Sequence, residues 1–297
     1  MSKYFSQMGF WGRLFVFLSL TSMLLVGSAI VCDIAAVLIF GRDAVAHQEV
    51  GVLQFFQACI SIGIFLVPTV VFVRLCCDGG LWANLKVDRA PGLVKLAVCL
   101  GMMVVSMPMV SWLEDYNLHI RLPESLAGIE NWARAREDAA NLLVKKLTGS
   151  DDIVRLVINI IVLAVVPALC EEMYFRVGMQ SHLFEEKTRM GRWWSVVAAA
   201  VLFSALHLQF FGFLPRFVLG AMLGMMLAIT GNVWYSVCAH FFNNTFAVVA
   251  AYKEATGQEI EISAWFQSPW MAVLSAVGCA ALMVVLYKIE KNAKKTL

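Results

Sequence analysis

An all-α, polytopic membrane bundle of about eight transmembrane helices is the fold class this sequence predicts, and three observations predict it. Of the 297 residues, 60% are apolar and only 15% charged, and the mean hydropathy is +0.75. Soluble domains sit far from that balance. Apolar runs long enough to cross a bilayer, about 17–25 residues each, recur along the whole chain. The alternating ten-residue segments of an outer-membrane barrel are absent.

The spans are expected at roughly 14–40, 52–76, 94–113, 153–175, 194–210, 215–230, 232–251 and 270–288. The first is too long for the apolar core of a signal peptide and lacks a convincing small-residue cleavage site, so it is expected to remain as an anchor. In the loop at 114–152, Leu126, Ile129, Trp132, Ala140, Leu143 and Leu147 recur at helical spacing. That pattern predicts an extracytoplasmic amphipathic helix on the membrane surface. The fourth span has the composition to run on through Glu171 and Glu172 into "YFRVGMQ". In the sixth, Gly220 and Gly224 form a GxxxG step suited to close helix packing. The eight cysteines all lie in or at the ends of apolar runs, without a CxxC pair, and read as small buried residues. Three regions follow: 1–150 as N-terminal helices with the amphipathic loop, 151–252 as the core that carries the chemistry, and 253–297 as a last helix with a basic tail.

Lys and Arg placement sets the orientation. Lys3 and Arg13, then Arg74, Lys86, Arg89 and Lys95, then Lys187, Arg189 and Arg192, then Lys288, Lys291, Lys294 and Lys295 fall on one side if there are eight spans. Of the opposite loops, 41–51 holds Arg42 alone and 252–269 holds Lys253 among Glu254, Glu259 and Glu261, while 114–152 breaks the pattern with several basic residues mixed with acids. A multi-pass protein of the cell membrane with both termini cytoplasmic is expected. Compact loops suggest a prokaryotic inner membrane. The expected partners are the bilayer and a membrane-associated peptide or protein, with no nucleic acid.

Charged groups inside a membrane cost several kcal/mol unless paired or hydrated, so each one asks for a reason. "ALCEEMYFRVGMQ" places Glu171, Glu172 and Arg176 together. Residues four apart share a helix face and neighbours stand about 100° apart, so Glu172 can pair with Arg176 while Glu171 points elsewhere. The pair reads as structural, and the acid left without a cation reads as chemical. "FSALH" puts Phe203 and His207 on one face of the fifth helix, and "HFFNN" does the same for His240 and Asn244 in the seventh. Lone Asp33 in the first helix reads as a buried acid bonded to a neighbouring helix, outside any site.

A glutamate, two histidines and an asparagine on three apolar helices suit peptide hydrolysis. That reaction needs a base for water and donors for the oxyanion. Glu171 with His207 can hold and deprotonate water, and His240 with Asn244 can donate to the oxyanion. The same ligand types permit a divalent metal such as zinc on Glu171, His207 and His240, although HExxH is absent. A metal-free mechanism is equally compatible with these residues.

In this order and on successive apolar segments, "EEMYFR", "FSALH" and "HFFNN" resemble the CPBP family of intramembrane proteases, with motifs EExxxR, FxxxH and HxxxN. That family includes type II CAAX prenyl proteases and bacterial proteins of abortive infection and bacteriocin immunity. The resemblance covers about 150–250. It implies that Glu171 and His207 activate water, that His240 and Asn244 face the oxyanion, and that Glu172, Arg176 and Phe203 support them. Val177 departs from the glycine that many relatives carry after the arginine, which bears on packing around Arg176. Two other readings keep the same residues: a membrane immunity or scaffold protein that acts through partners, and a proton-coupled transporter, which an inverted repeat would mark. No repeat is present.

Overall fold

The computed structural model describes residues 7–185, 191–258 and 265–295. The orientation residues Lys3, Lys187, Arg189, Glu259 and Glu261 lie outside them. The described residues form helices and turns without a strand. In chain order the longer helices are α1 (Phe10–Phe40), α2 (Val50–Cys76), α3 (Leu93–Leu118), α4 (Ala127–Thr148), α5 (Ile153–Phe184), α6 (Arg192–Ala205), α7 (Phe213–Thr230), α8 (Trp234–Ala255) and α9 (Pro269–Ala293). Six are long and apolar enough to cross a bilayer: α1, α2, α3, α5, α9 and the run Phe210–Thr230 that contains α7. The other two helices behind the expected eight are weaker spans. α6 has only 14 residues, and the 22 of α8 include His240, Asn243 and Asn244. The chain is therefore an all-α polytopic membrane bundle in which, among the described residues, six helices rather than eight qualify as spans on length and hydropathy.

Two buried clusters hold the bundle together. The first joins α1, α2, α5 and α6 through Phe17, Phe72, Phe175, Leu183 and Phe203. The second joins α3, α7, α8 and α9 through Met102, Met103, Met222, Met226, Tyr235 and Leu286. Small residues let backbones approach where the helices touch. A Cβ on Gly220 would meet Phe203 Cδ1 at 3.0 Å, and one on Gly224 would meet Gln180 Oε1 at 2.8 Å. The GxxxG step is thus the surface on which α6 and α5 pack against α7. Val177, where a glycine was the alternative, is fully buried in the first cluster.

Prolines shape α2 and α5. Each has a π-helical stretch, Ile62–Leu66 in α2 and Ile160–Val165 in α5, ending two residues before Pro68 and Pro167 respectively. A proline ring clashes with the carbonyl four residues back and offers it no N–H; the wider π turn relieves the clash. α5 is π-helical again from Met173 onward, and every residue from Glu172 to Phe184 is buried. As the composition allowed, the helix runs unbroken through both glutamates and "YFRVGMQ".

One expectation needs correction. Asp33 is exposed rather than buried against another helix. At 31 residues α1 is about 46 Å long against a hydrocarbon core of about 30 Å, so an acid seven residues from its end can reach the interface. The amphipathic helix is present as α4, and most of its large apolar side chains are left uncovered by the rest of the bundle. Ile129, Trp132, Leu142 and Leu143 are exposed, whereas Ala133, Leu147 and Thr148 are buried and Glu130 and Glu137 are nearly so. α4 lies across one end of the bundle, touching α2, α5, α8 and the turn at Phe210–Gly212. Its start is tied down by Glu130, which accepts from Leu122 N–H (2.8 Å), Arg134 Nε (2.9 Å) and Arg121 Nη1 (3.2 Å). These donors, the backbone N–H first, hold the Glu130 carboxyl at about 2. Its far end is held by a buried chain in which Gln54 Nε2 donates to Asn159 Oδ1 and Asn159 Nδ2 donates to Leu147 C=O, each at 2.8 Å.

Candidate active site

The middle of α5 presents its two glutamates to different surroundings, as neighbours on a helix must. Glu172 is wholly buried. Arg176, one turn on, donates from Nε to Glu172 Oε2 at 2.9 Å, and its guanidinium lies 5.1 Å from the Phe203 ring centre. The expected pair is there, and it has a third member. His240 of α8 places Nδ1 3.0 Å from Glu172 Oε1. An ionised carboxylate only accepts, so Nδ1 carries the hydrogen and Nε2 is left facing Glu171, whose Oε2 stands 3.9 Å away.

His207 is not on helix α6. The helix ends at Ala205, and His207 lies in a turn closed by Leu208 at φ +54°, a left-handed conformation uncommon for a leucine. The expected Phe203–His207 adjacency nevertheless survives. His207 Nδ1 is 2.7 Å from Phe203 C=O, and the two rings pack edge to face at 5.0 Å. A carbonyl can only accept, so Nδ1 again holds the hydrogen and Nε2 offers its lone pair. The turn is clamped from α3. Buried Asn117 donates from Nδ2 to Phe210 C=O (3.0 Å), while its Oδ1 accepts from Leu214 N–H (2.8 Å). Those two bonds serve backbone groups that a broken helix leaves without partners.

Asn244 owes its position to a proline in another helix. Pro167 has no N–H for Leu163 C=O, four residues back, and that carbonyl accepts from Asn244 Nδ2 at 3.3 Å. Asn244 Oδ1 accepts from Asn243 Nδ2, also at 3.3 Å. One N–H of the Asn244 amide remains for another acceptor.

These groups share one cavity of about 170 Å³ at the junction of the two packed clusters. Its lining includes Glu171, His207, His240 and Asn244. Phe203, Met103, Leu219 and Leu223 supply apolar wall, and Asn243 and Arg216 complete it. Glu172 and Arg176 do not line the cavity; they stand behind it. Sequence reasoning missed Arg216, Asn243 and the clamp Asn117. Arg216 carried a signal that could have found it, being a lone charge within the apolar run "FFGFLPRFVLG".

Among the described residues no three His, Cys, Asp or Glu side chains come together as a metal-ion site. By that test Glu171, His207 and His240 do not fit a metal as placed, and the chemistry derived for them uses none. What the arrangement can do is hold a water between a carboxylate and an imidazole lone pair. Across the same cavity stands an amide donor, with space for a peptide group between.

Residues 153–246 match the family described as type II CAAX prenyl endopeptidase Rce1-like. Among curated proteins and among solved structures, nothing matches the chain. The matched segment runs from α5 into α8 and contains all three motifs, EExxxR, FxxxH and HxxxN. By this segment, about a third of the chain, the protein is similar to the type II CAAX prenyl endopeptidases.

Proposed function

We propose that the protein is an intramembrane endopeptidase that cuts a peptide bond of a membrane-associated protein or peptide, with Glu171, His207, His240 and Asn244 as its catalytic residues. The observation that carries this reading is the convergence of those four side chains on one small cavity, inside the segment that matches the protease family. Water held between Glu171 and His207 Nε2 gives a proton to Glu171, and its oxygen attacks the substrate carbonyl carbon. The resulting oxyanion is met by the remaining Asn244 N–H and, when the ring carries two protons, by His240 Nε2–H. Collapse of the adduct breaks the C–N bond, and the proton held by Glu171 leaves with the amine. Glu172 and Arg176 act through His240 as positioning residues. The placement of Lys and Arg in loops and tail supports an orientation with both termini cytoplasmic.

The test is cleavage of a library of membrane-anchored and lipidated peptides by the detergent-purified chain, beside Glu171→Ala and His207→Ala, each with and without a chelator. Cleavage by wild type alone is expected. Equal cleavage by all three refutes the assignment. Activity that a chelator removes and zinc restores replaces the metal-free route with a metal-assisted one.

A further inference from the structure

Among the described residues Arg216 is the one arginine or lysine on the cavity wall, and a glycine stands against its guanidinium. A Cβ at Gly212 would fall 2.6 Å from Nη2 and 2.7 Å from both Cζ and Nη1 of Arg216, so any other residue there would push the guanidinium from its present seat. The guanidinium gives two hydrogen bonds, both to neutral acceptors of one residue. Nη1 reaches Gln209 C=O at 3.2 Å, and Nη2 reaches Gln209 Oε1 at 2.7 Å. Among the described residues its nearest carboxylate is that of Glu137 of α4, with Glu114 and Glu171 acting at longer range, and the match is poor. Glu137 Oε1 lies 4.0 Å from Nη2 and takes its one hydrogen bond from Gln209 Nε2, while Glu137 Oε2 is buried with no hydrogen bond at all. An arginine fork fits a carboxylate two N–H bonds at a time. Here that fork faces a cavity and holds its counterion at arm's length.

We propose that Arg216 is a specificity-determining residue: it binds a carboxylate of the substrate close to the bond that is cut, taking over the charge that Glu137 balances in the free protein. The proposal rests on the endopeptidase reading for what is cut, but not for what is bound. Arg216 lines the same cavity as Glu171, His207, His240 and Asn244. The carboxylate therefore lies close to the scissile bond. An acidic side chain and a free chain end present the same chemistry.

Three N-palmitoyl tripeptides separate the sources: Ala-Ala-Ala with a free carboxylate, Ala-Ala-Asp with an amidated end, and Ala-Ala-Ala with an amidated end. Binding to the full chain in detergent is measured for wild type, Arg216→Gln, Arg216→Lys and Glu137→Gln, and cleavage is followed on the same samples by mass spectrometry. Wild type is expected to bind at least one acidic peptide about tenfold or more above the neutral one, the scale of a charge-assisted pair. Arg216→Gln should erase that preference while still binding the neutral peptide, Arg216→Lys should keep part of it, and Glu137→Gln should strengthen it. Equal binding of the three by wild type, no binding, or a preference that survives in Arg216→Gln overturns the proposal. Should Arg216→Gln bind neither class, Glu137→Gln decides: tighter acidic binding supports the role, and unchanged binding overturns it. Selective binding without cleavage would leave this inference standing and remove the endopeptidase reading. Cleavage without selectivity would do the reverse.

Discussion

Glu172 and Arg176 are charged residues with no measurable exposure, and their stability rests on each other and on His240. Removing one partner of such a pair leaves the other charge buried alone, which costs about 3–5 kcal/mol. Arg176→Met is therefore expected to lower thermal stability in detergent by about that amount, whereas Glu171→Gln, at the cavity edge, should leave the unfolding temperature nearly where it is. Equal losses in the two variants would mean that both glutamates are structural. The division of labour between the glutamates was readable from spacing alone, because i and i+4 share a face and i and i+1 do not. That His240 completes the pair was not readable. It depends on which helix lies beside α5, and no local pattern encodes a neighbour. Arg216 was readable by the rule that drew attention to the glutamates, that a charge within an apolar run asks for a reason. It went unnoticed because no motif surrounds it.

At the scale of the element, the break between α6 and α7 matters most. Apolar runs predicted helix as far as 210, but the helix stops at Ala205, and the turn that follows carries His207 and leads to Arg216. Hydropathy sees no difference between a straight span and one interrupted by a turn, so the break was hidden. Its clamp, Asn117, sits in a helix that sequence separates from it by about 90 residues. Asn117→Ala strands a carbonyl and an N–H and should cost about 1–3 kcal/mol for each group that stays dry. Turnover should fall further than stability explains, because both His207 and Arg216 hang from that turn. Asn117→Asp keeps the acceptor for Leu214 and should lie between the two. A variant that unfolds earlier yet cleaves its substrate at the wild-type rate would show that the turn holds its shape without the clamp. The amphipathic α4 was legible as a helix, though not in which acids its packed face would cover. Its inward face carries Glu130 and Glu137, acids that periodicity alone assigns to water.

For the whole molecule, hydropathy gave the spans and their order, and the fold class follows from these. It could not give the arrangement of two packed clusters with the site at their seam, since that depends on side-chain fit such as Gly220 against Phe203. The orientation argued from basic residues belongs to this scale too. With the native cysteines replaced, Asp88→Cys, in the loop rich in cations, should resist a membrane-impermeant thiol reagent applied to intact cells. Thr256→Cys, at the far end of α8, should be labelled. The opposite pattern would invert the molecule and put α4 in the cytoplasm.

The π turn before Pro167 fixes a phase as well as relieving a clash. Inside a helix each added residue turns all that follows by about 100° relative to what came before. Two adjacent acids with opposite duties, one walled in with an arginine and one facing the void, are separated by that same angle. The residue count of the wide turn therefore acts like the timing mark on a shaft: one residue fewer would swing Glu172 to the bearing that Glu171 now holds, and one more would carry Glu171 to the bearing of Glu172. Composition, hydropathy and all three motifs would survive either change, and the site would not.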